Sequence, residues 1–464
     1  MNSISLPRKL FFGAAFLWLA SLLGWFVAKQ AWVPLAGILG LALLAVWPAY
    51  MWLGVFLLLV PFDDVSGLSS GASSLTLTSL IGLVALFTLL ASGLALGRLR
   101  FPSRPAYFWM AFIAWEACTV LWSVDRNIAI AHLPTMLSLI IFFLIVTCYE
   151  FSERELSTIA RIVIFGGCIA AGIVLYLFHS GVFFQNMNMR ASIVFGNRQI
   201  EPNVFSASLQ LPLALVVGEF LGSKSLRGKL LFSACALLIA LGIFATASRG
   251  ALIAIAVMAL FYVRKLGISW RALAAPVLLG GALLLEPGII FSRLQESETT
   301  GGAGRLYIWQ TGLAAFKDYF LAGAGLNNFT VVYNDYAARA AHFVGLNRPP
   351  HNVFLQIAVE SGIIGIILFA AVIVSHFRYA SRREPFLTGA ARLRLTACEA
   401  AGYAMLASSF FLHLLWIKEF WAVWIMLAIC SRAPREDIPR SVQESDELKV
   451  DYDAAQDRGV LVGS

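Results

Sequence analysis

The sequence Arg348-Pro-Pro-His351-Asn352, followed by the apolar run from Val353 to Ser375, decides how this chain folds. Glu360 is the only charged residue within that run. A helix needs about 20 apolar residues to cross a bilayer, so the run predicts a membrane helix. A long polar loop, residues 291–351, precedes it. His351 therefore stands at the start of a membrane helix, where chemistry at a bilayer surface is expected.

Composition defines the class of protein. The chain has 464 residues, of which 59% are hydrophobic and only 13% are charged, whereas soluble proteins have about 25% charged residues. The six cysteines lie in apolar segments and form no CxxC pair. Neither a disulfide framework nor a zinc site is therefore expected.

The apolar segments predict an all-α polytopic membrane protein with about 12–14 transmembrane helices. The whole of residues 1–431 forms one membrane domain in this interpretation, with Arg8 and Lys9 preceding its first helix. The polar residues 432–464 form a cytoplasmic tail that we expect to be disordered. The candidate spans are 10–28, 33–47, 49–61, 74–95, 106–121, 131–149, 158–178, 203–220, 229–246, 250–263, 272–290, 352–375, 394–412 and 414–431.

The distribution of Lys and Arg predicts the orientation, because cytoplasmic loops of membrane proteins are enriched in basic residues. With the N-terminus in the cytoplasm, most basic residues fall on that side and both termini are cytoplasmic. The net charge of +8 is then a topological signal, and nucleic-acid binding is not expected.

Several arginines nevertheless fall on the outer side. They are Arg190, Arg198, Arg249, Arg305 and Arg348. A guanidinium group matches phosphate oxygens with two parallel hydrogen bonds, so the cluster indicates an anionic ligand. The alternatives are anchoring to phospholipid headgroups and ion pairing with nearby glutamates such as Glu201.

The long loop contains a helical pattern. Apolar residues recur at spacings of three and four from Leu306 to Phe320, which predicts an amphipathic helix lying in the membrane interface. Arg305 falls in its first turn, where helix N-termini favour anions.

The order of several motifs resembles the O-antigen ligase/polymerase superfamily over residues about 200–375. The motifs are Pro202-Asn203, Ser248-Arg249-Gly250, Gly304-Arg305 with Trp309, Gly323-Ala-Gly325, and His351-Asn352-x-x-Leu355-x-x-x-x-Glu360-x-Gly362. The resemblance implies a C-type glycosyltransferase that works on the periplasmic side of the bacterial inner membrane without a metal. The implied donor is a glycan on undecaprenyl diphosphate, and for a ligase the implied acceptor is a sugar of the lipid A core.

The residues fit that chemistry. Arg249 and Arg305 are the leading candidates to stabilise charge on the diphosphate, with Arg190 and Arg198 behind them. His351 is the candidate general base for the acceptor hydroxyl, and its helix start favours the neutral imidazole. The alternative is that His351 only positions a substrate.

Three further residues are predicted at the site. Asn352 is expected to cap the helix that it precedes, and Asn352, Arg348 and Glu360 are candidate substrate contacts. Asp63 and Asp64 have no accompanying ligand cluster, so no metal and no other cofactor is expected.

Other functions remain open from the sequence. A polymerase that joins lipid-linked repeat units needs the same arginines. A protein O-oligosaccharyltransferase usually has a larger C-terminal region, and a lipid-linked sugar transporter usually has ionisable residues near the middle of the membrane.

Overall fold

The computed structural model describes residues 47–67, 76–184, 190–267, 304–338 and 343–433. The predicted spans 10–28 and 272–290, nearly all of the span 33–47 and the tail from residue 434 lie outside the described residues. Residues 291–303, which form the first part of the predicted loop, also lie outside them.

The N-terminal part of this region is helical apart from one short hairpin. Its elements are α1 (Ala49–Leu59), a 3₁₀ helix (Val60–Val65), α2 (Leu77–Leu96), α3 (Arg104–Thr119), α4 (Arg126–Cys148), α5 (Glu153–His179), β1 (Val194–Phe195), β2 (Arg198–Gln199), α6 (Pro202–Ser208), α7 (Gln210–Gly222), α8 (Leu226–Ala245) and α9 (Arg249–Leu266). The two strands pair in antiparallel register, with Val194 opposite Gln199.

The C-terminal part of the described region contains five α-helices, and the first of them occupies the position of the predicted interfacial helix. Its elements are α10 (Arg305–Asp318), α11 (Phe329–Ala337), α12 (Val353–Arg383), a 3₁₀ turn (Glu384–Phe386), α13 (Gly389–Ser409) and α14 (Lys418–Ser431).

The prediction of an all-α polytopic membrane protein is confirmed. Six helical segments of the described part are long and apolar enough to cross a membrane. They are Leu77–Leu96, Arg126–Cys148, Glu153–His179, Pro202–Gly222, Leu226–Ala245 and Val353–Phe386. The total of about 12–14 helices stays a prediction, because several candidate spans lie outside the described residues.

Polar residues before the apolar runs explain where several helices begin. The Asp125 side chain accepts hydrogen bonds from the backbone N–H groups of Asn127 and Ile128 at the start of α4. Ser152 and Glu155 form a capping box at the start of α5. Each contact satisfies backbone donors that have no partner within the helix.

The loops collect at two ends of the bundle. At one end, which we call the site end, Arg190 donates a hydrogen bond to the Thr246 carbonyl at 3.2 Å, and the backbone N–H of Val124 donates one to the Ala324 carbonyl at 3.0 Å. The opposite end holds ion pairs such as Arg98–Glu155 and Arg394–Glu153. This grouping agrees with the alternation of loops assumed in the predicted topology.

The predicted continuous helix from residue 352 is interrupted at Gly362. This glycine has φ 67° and ψ −165° inside α12, a conformation that few residues other than glycine adopt. A Cβ on Gly362 would lie 2.4 Å from the Leu321 carbonyl oxygen, and a Cβ on Gly323 would lie 2.2 Å from the Glu360 carbonyl oxygen. The segment after α10 therefore passes directly against the break in α12.

The predicted span 203–220 is also divided. Leu209 separates α6 from α7, and α6 carries the residues of the Pro202-Asn203 motif. Glu201 caps α6 by accepting hydrogen bonds from the backbone N–H groups of Asn203 and Val204, both at 2.9 Å. The short helix thus holds Glu201 and Asn203 in fixed positions at the site end.

Candidate functional site

Arg305 and Arg249 each occupy the first residue of a helix. Arg305 begins α10 after Gly304, whose φ is 77°. Arg249 begins α9 after Ser248, whose side chain accepts a hydrogen bond from the Ala251 N–H at 3.4 Å. The first N–H groups of a helix lack intrahelical partners, and the helix dipole there favours anions. Both arginines therefore stand where an anionic group is stabilised by backbone and side chain together.

The two guanidinium groups are close enough to influence one another. Burial lowers the pKa of Arg305, the charge of Arg249 lowers it further, and Glu201 opposes both effects. The Arg305 guanidinium has no hydrogen-bond or ion-pair partner among the described residues. A pair of like charges with incomplete compensation favours a ligand with more than one negative charge.

His351 has a backbone conformation that is rare for its residue type. Its φ is 46°, in the left-handed region that is uncommon for residues other than glycine. The residues on both sides fix it, because Trp309 donates a hydrogen bond to the Pro350 carbonyl at 3.2 Å and the Asn352 side chain accepts one from the Leu355 N–H at 3.0 Å. Such conformations concentrate at functional sites.

The His351 imidazole is buried and neutral. Its Nδ1 atom is buried and has no hydrogen-bond partner within the described part of the chain. Burial, with the nearby His413, Arg305 and Arg348, lowers the pKa of His351 to about 3. The ring is therefore neutral at neutral pH, as predicted, although burial rather than the helix start is the main cause.

His413 was not singled out from the sequence. Its ring centroid lies 5.3 Å from that of His351, with an angle of 75° between the planes. His413 occupies the connection between α13 and α14, and no motif in the sequence marks it. Only the fold brings together two histidines that are far apart in the chain.

Arg190 joins the site through partners of its own. Its guanidinium donates hydrogen bonds to the Thr246 carbonyl at 3.2 Å and to the Asn203 side chain at 2.9 Å, and it lies 3.8 Å from Glu201. The alternative of ion pairing with Glu201 thus applies to Arg190. Since Glu201 also acts on Arg305, this carboxylate influences both arginines.

Arg198 and Arg348 lie at the margins of the cluster. The Arg198 guanidinium packs against Gly67, where a Cβ would come within 1.5 Å of its Nη1 atom. Arg348 is exposed, and its Nε donates a hydrogen bond to the Val344 carbonyl at 2.9 Å. Arg348 still influences His351 electrostatically, whereas no described contact joins Arg198 to Arg305.

Asn352 and Glu360 have structural partners. The predicted capping role of Asn352 is confirmed by its bond to the Leu355 N–H. Glu360 is only 2% exposed, and its carboxylate accepts hydrogen bonds from the Phe329 N–H and from Gln356, both at 3.2 Å. This position differs from the predicted substrate contact, because the carboxylate faces protein and holds α11 against α12.

A cavity of about 420 Å³ opens beside the two histidines. His413 lines it together with the acidic turn after α1 and the start of α14. Lys418 donates hydrogen bonds to both Asp63 carboxylate oxygens at 2.7 Å. The remaining lining residues are Asp64, Thr76, Ser79, Thr135, Ser138, Leu139, Val204, Leu414, Trp416, Ile417 and Glu419.

The described residues contain no group of three or more His, Cys, Asp or Glu side chains able to hold a metal ion. Asp63, a residue considered above as a cation ligand, is engaged by Lys418.

Two comparisons with known proteins relate the chain to a family and to one relative. Residues 234–370 match the family model described as O-antigen ligase. This region includes Arg249, Arg305 and His351. The chain is also similar to the exopolysaccharide production protein ExoQ of Rhizobium meliloti (strain 1021), with 26% identity over 291 residues. The alignment covers 59% of this chain and 65% of that protein, slightly less than two thirds of its length.

The fold is that of a polytopic membrane protein, and the comparisons relate it to the O-antigen ligase/polymerase superfamily.

Proposed function

We propose that the protein is an inner-membrane glycosyltransferase that moves O-antigen glycan from undecaprenyl diphosphate to a sugar of the lipid A core on the periplasmic face. One observation carries this proposal. A neutral, buried His351 lies within electrostatic reach of Arg305, and Arg305 lies within electrostatic reach of Arg249 at a second helix start. A base beside a cationic anion site is what transfer from a diphosphate needs.

The reaction follows from these positions. The acceptor hydroxyl gives its proton to the His351 imidazole, and its oxygen attacks the anomeric carbon of the donor glycan. The bond between that carbon and the phosphate oxygen breaks, and its electron pair remains on the diphosphate. Arg305 and Arg249 stabilise the charge that develops there. The protonated imidazole then releases its proton to solvent, and no metal takes part.

A second candidate is a polymerase that joins lipid-linked repeat units. The name of the similar ExoQ protein refers to exopolysaccharide production. This name favours a product built from repeating units. The same histidine and arginines serve this reaction, because only the acceptor differs.

The product decides between the two. Purified full-length protein in lipid nanodiscs receives an undecaprenyl diphosphate-linked oligosaccharide and rough lipopolysaccharide, in a buffer that contains EDTA. Glycan attached to the lipid A core supports the ligase. A longer lipid-linked polymer contradicts the ligase and supports the polymerase. If the protein changes neither substrate covalently, both enzyme proposals are wrong, and a transporter becomes the better explanation.

A further inference from the structure

The cavity of about 420 Å³ is joined to the proposed catalytic histidine through His413. His413 contacts the His351 ring and also lines the cavity. Arg249, Arg305 and Arg190 are not among the lining residues. The site end therefore has two chemically different compartments that meet at the histidine pair, one formed by arginines and the other by this cavity.

The lining of the cavity suits a sugar. Thr76, Ser79, Thr135 and Ser138 contribute hydroxyl-bearing side chains to the lining, and the carboxylates supply strong acceptors. These groups accept and donate the hydrogen bonds that a polyhydroxylated ligand offers. Trp416 also lines the cavity, and its indole N–H has no acceptor among the described residues. The volume lies within the range of about 300–1,000 Å³ that is usual for small-molecule sites.

The cavity lacks the excess positive charge of the arginine cluster. Lys418 is matched by Asp63, whose two carboxylate oxygens it contacts. Asp64 remains as an additional acidic residue and has no hydrogen-bond or ion-pair partner in the described part of the chain, whereas burial raises the pKa of Glu419 to about 8 and keeps that carboxyl group neutral. The Asp64 carboxylate repels a phosphorylated ligand. The diphosphate and the occupant of this cavity are thereby kept in different compartments.

We propose that this cavity is the acceptor subsite, and that it selects an acceptor whose reacting sugar carries no phosphate or carboxylate group. The proposal rests on the proposed function and adds the chemical class of the second substrate. His413 lines the cavity and contacts the His351 ring, so a sugar whose reacting end extends past His413 brings its hydroxyl to the proposed base.

The test compares two synthetic core glycolipids that differ only in a phosphate on the terminal hexose. Binding to purified full-length protein is measured in nanodiscs by titration, and transfer is measured in parallel. We expect the neutral glycolipid to bind more tightly. Asp64→Lys should reduce this preference by about tenfold, the factor that corresponds to ~1.4 kcal/mol, while the affinity for the diphosphate donor stays unchanged.

Asp335→Lys is the matched control. Asp335 is an exposed carboxylate in α11, at the same end of the molecule, and it does not line the cavity. It should leave the preference unchanged. A second variant, Ser138→Trp, fills the cavity and should weaken binding of both glycolipids without affecting the donor.

The outcomes separate the two proposals. If Asp64→Lys and Ser138→Trp both bind the glycolipids as the wild type does, the acceptor subsite is wrong even when transfer is observed. If Asp64→Lys and Asp335→Lys changed the preference for the neutral glycolipid equally, the acceptor subsite would also be contradicted. The added charge would then act from outside the cavity as strongly as from within it. If binding follows the expected pattern but no glycan is transferred, the cavity is a sugar site and the proposed function is wrong.

Discussion

His351 shows how the fold prepares a single residue for its chemistry. The left-handed backbone and the capped helix that follows fix the position of this residue, and its buried Nδ1 atom has no hydrogen-bond partner among the described residues. An imidazole with an ordinary pKa of 6.5 would be partly charged near neutral pH, whereas this one is neutral because it is buried next to cationic groups.

Replacing this imidazole should stop transfer. His351→Ala removes the proposed base, and general base catalysis contributes about 10²–10⁴-fold to a rate. We expect kcat to fall within that range while expression and donor binding are preserved. His376→Ala is not a suitable control, because His376 accepts a hydrogen bond from Trp109 in the bundle core. His179→Ala, an exposed histidine at the end of α5, is suitable and should be fully active. Activity of His351→Ala near the wild-type level would remove this residue from the mechanism.

The pH dependence follows from the lowered pKa of His351, which is about 3 in the free protein. A base works in its neutral form, so lowering the pH through 6.5 should not reduce kcat/KM, and the decrease should begin only well below pH 5. Binding of an anionic diphosphate offsets the cationic neighbours and raises the pKa of His351 in the complex. The acidic limb of kcat should therefore lie at higher pH than that of kcat/KM. A limb of kcat/KM at pH 6.5 that disappears in His351→Gln would contradict this prediction.

Transfer activity should depend on the shape of the side chain at position 305 as well as on its charge. Arg305→Ala removes a group aimed at the developing charge, and loss of one such donor costs about 10²–10³ in kcat. Arg305→Lys should restore activity only in part, because one ammonium group cannot form the forked contact. Donor titration and initial rates measure both effects. Lys317→Ala, in the last turn of the same helix, is the control, and full activity of Arg305→Lys would show that only a point charge is needed.

The sequence predicted local features, such as helix capping, better than it predicted contacts between residues that are distant in the chain. Asn352 caps α12 as predicted, because capping is decided within a few positions of the chain. The placement of Glu360 and the contact of His413 with His351 depend on packing between distant helices. No local pattern carries that information, and the same holds for the bond between Lys418 and Asp63.

At the scale of elements, the contact between α12 and the segment after α10 determines where the long loop sits. Gly362, Gly323 and Gly325 allow this close approach, and a Cβ on Gly325 would lie 2.1 Å from the Ser123 hydroxyl. The apolar run predicted the start of α12 but neither its break nor its extension to Arg383. A glycine in an apolar run is compatible with a continuous helix. Only the segment that packs against Gly362 shows why α12 is interrupted there.

Substitution of Gly362 should therefore destabilise the protein. Gly362→Ala places a methyl group 2.4 Å from the Leu321 carbonyl oxygen at a positive φ, and strain of that kind costs about 1–3 kcal/mol. We expect a lower thermal midpoint in detergent together with reduced transfer. Gly172→Ala is the matched control, because a Cβ there meets nothing within 4 Å. Equal midpoints for the two variants would show that the segment shifts easily.

For the whole molecule, the predicted orientation can be tested directly. Phe343 at the site end and Leu226 at the opposite end are both highly exposed. With the exposed Cys118 replaced by Ser, a membrane-impermeant maleimide should modify Phe343→Cys in spheroplasts and should modify Leu226→Cys only after lysis. The reverse pattern would place the proposed active site in the cytoplasm and contradict the periplasmic assignment.

The bond between Lys418 and Asp63 also has a consequence for biogenesis. These residues are 355 positions apart in the chain, and they close the wall of the cavity. The ribosome makes Asp63 well before Lys418, which arrives only with the start of α14. A chain made only as far as α10 therefore lacks the cavity, even when the arginines of α9 and α10 are already in place. Synthesis of α14 is thus the step at which the protein acquires the complete cavity.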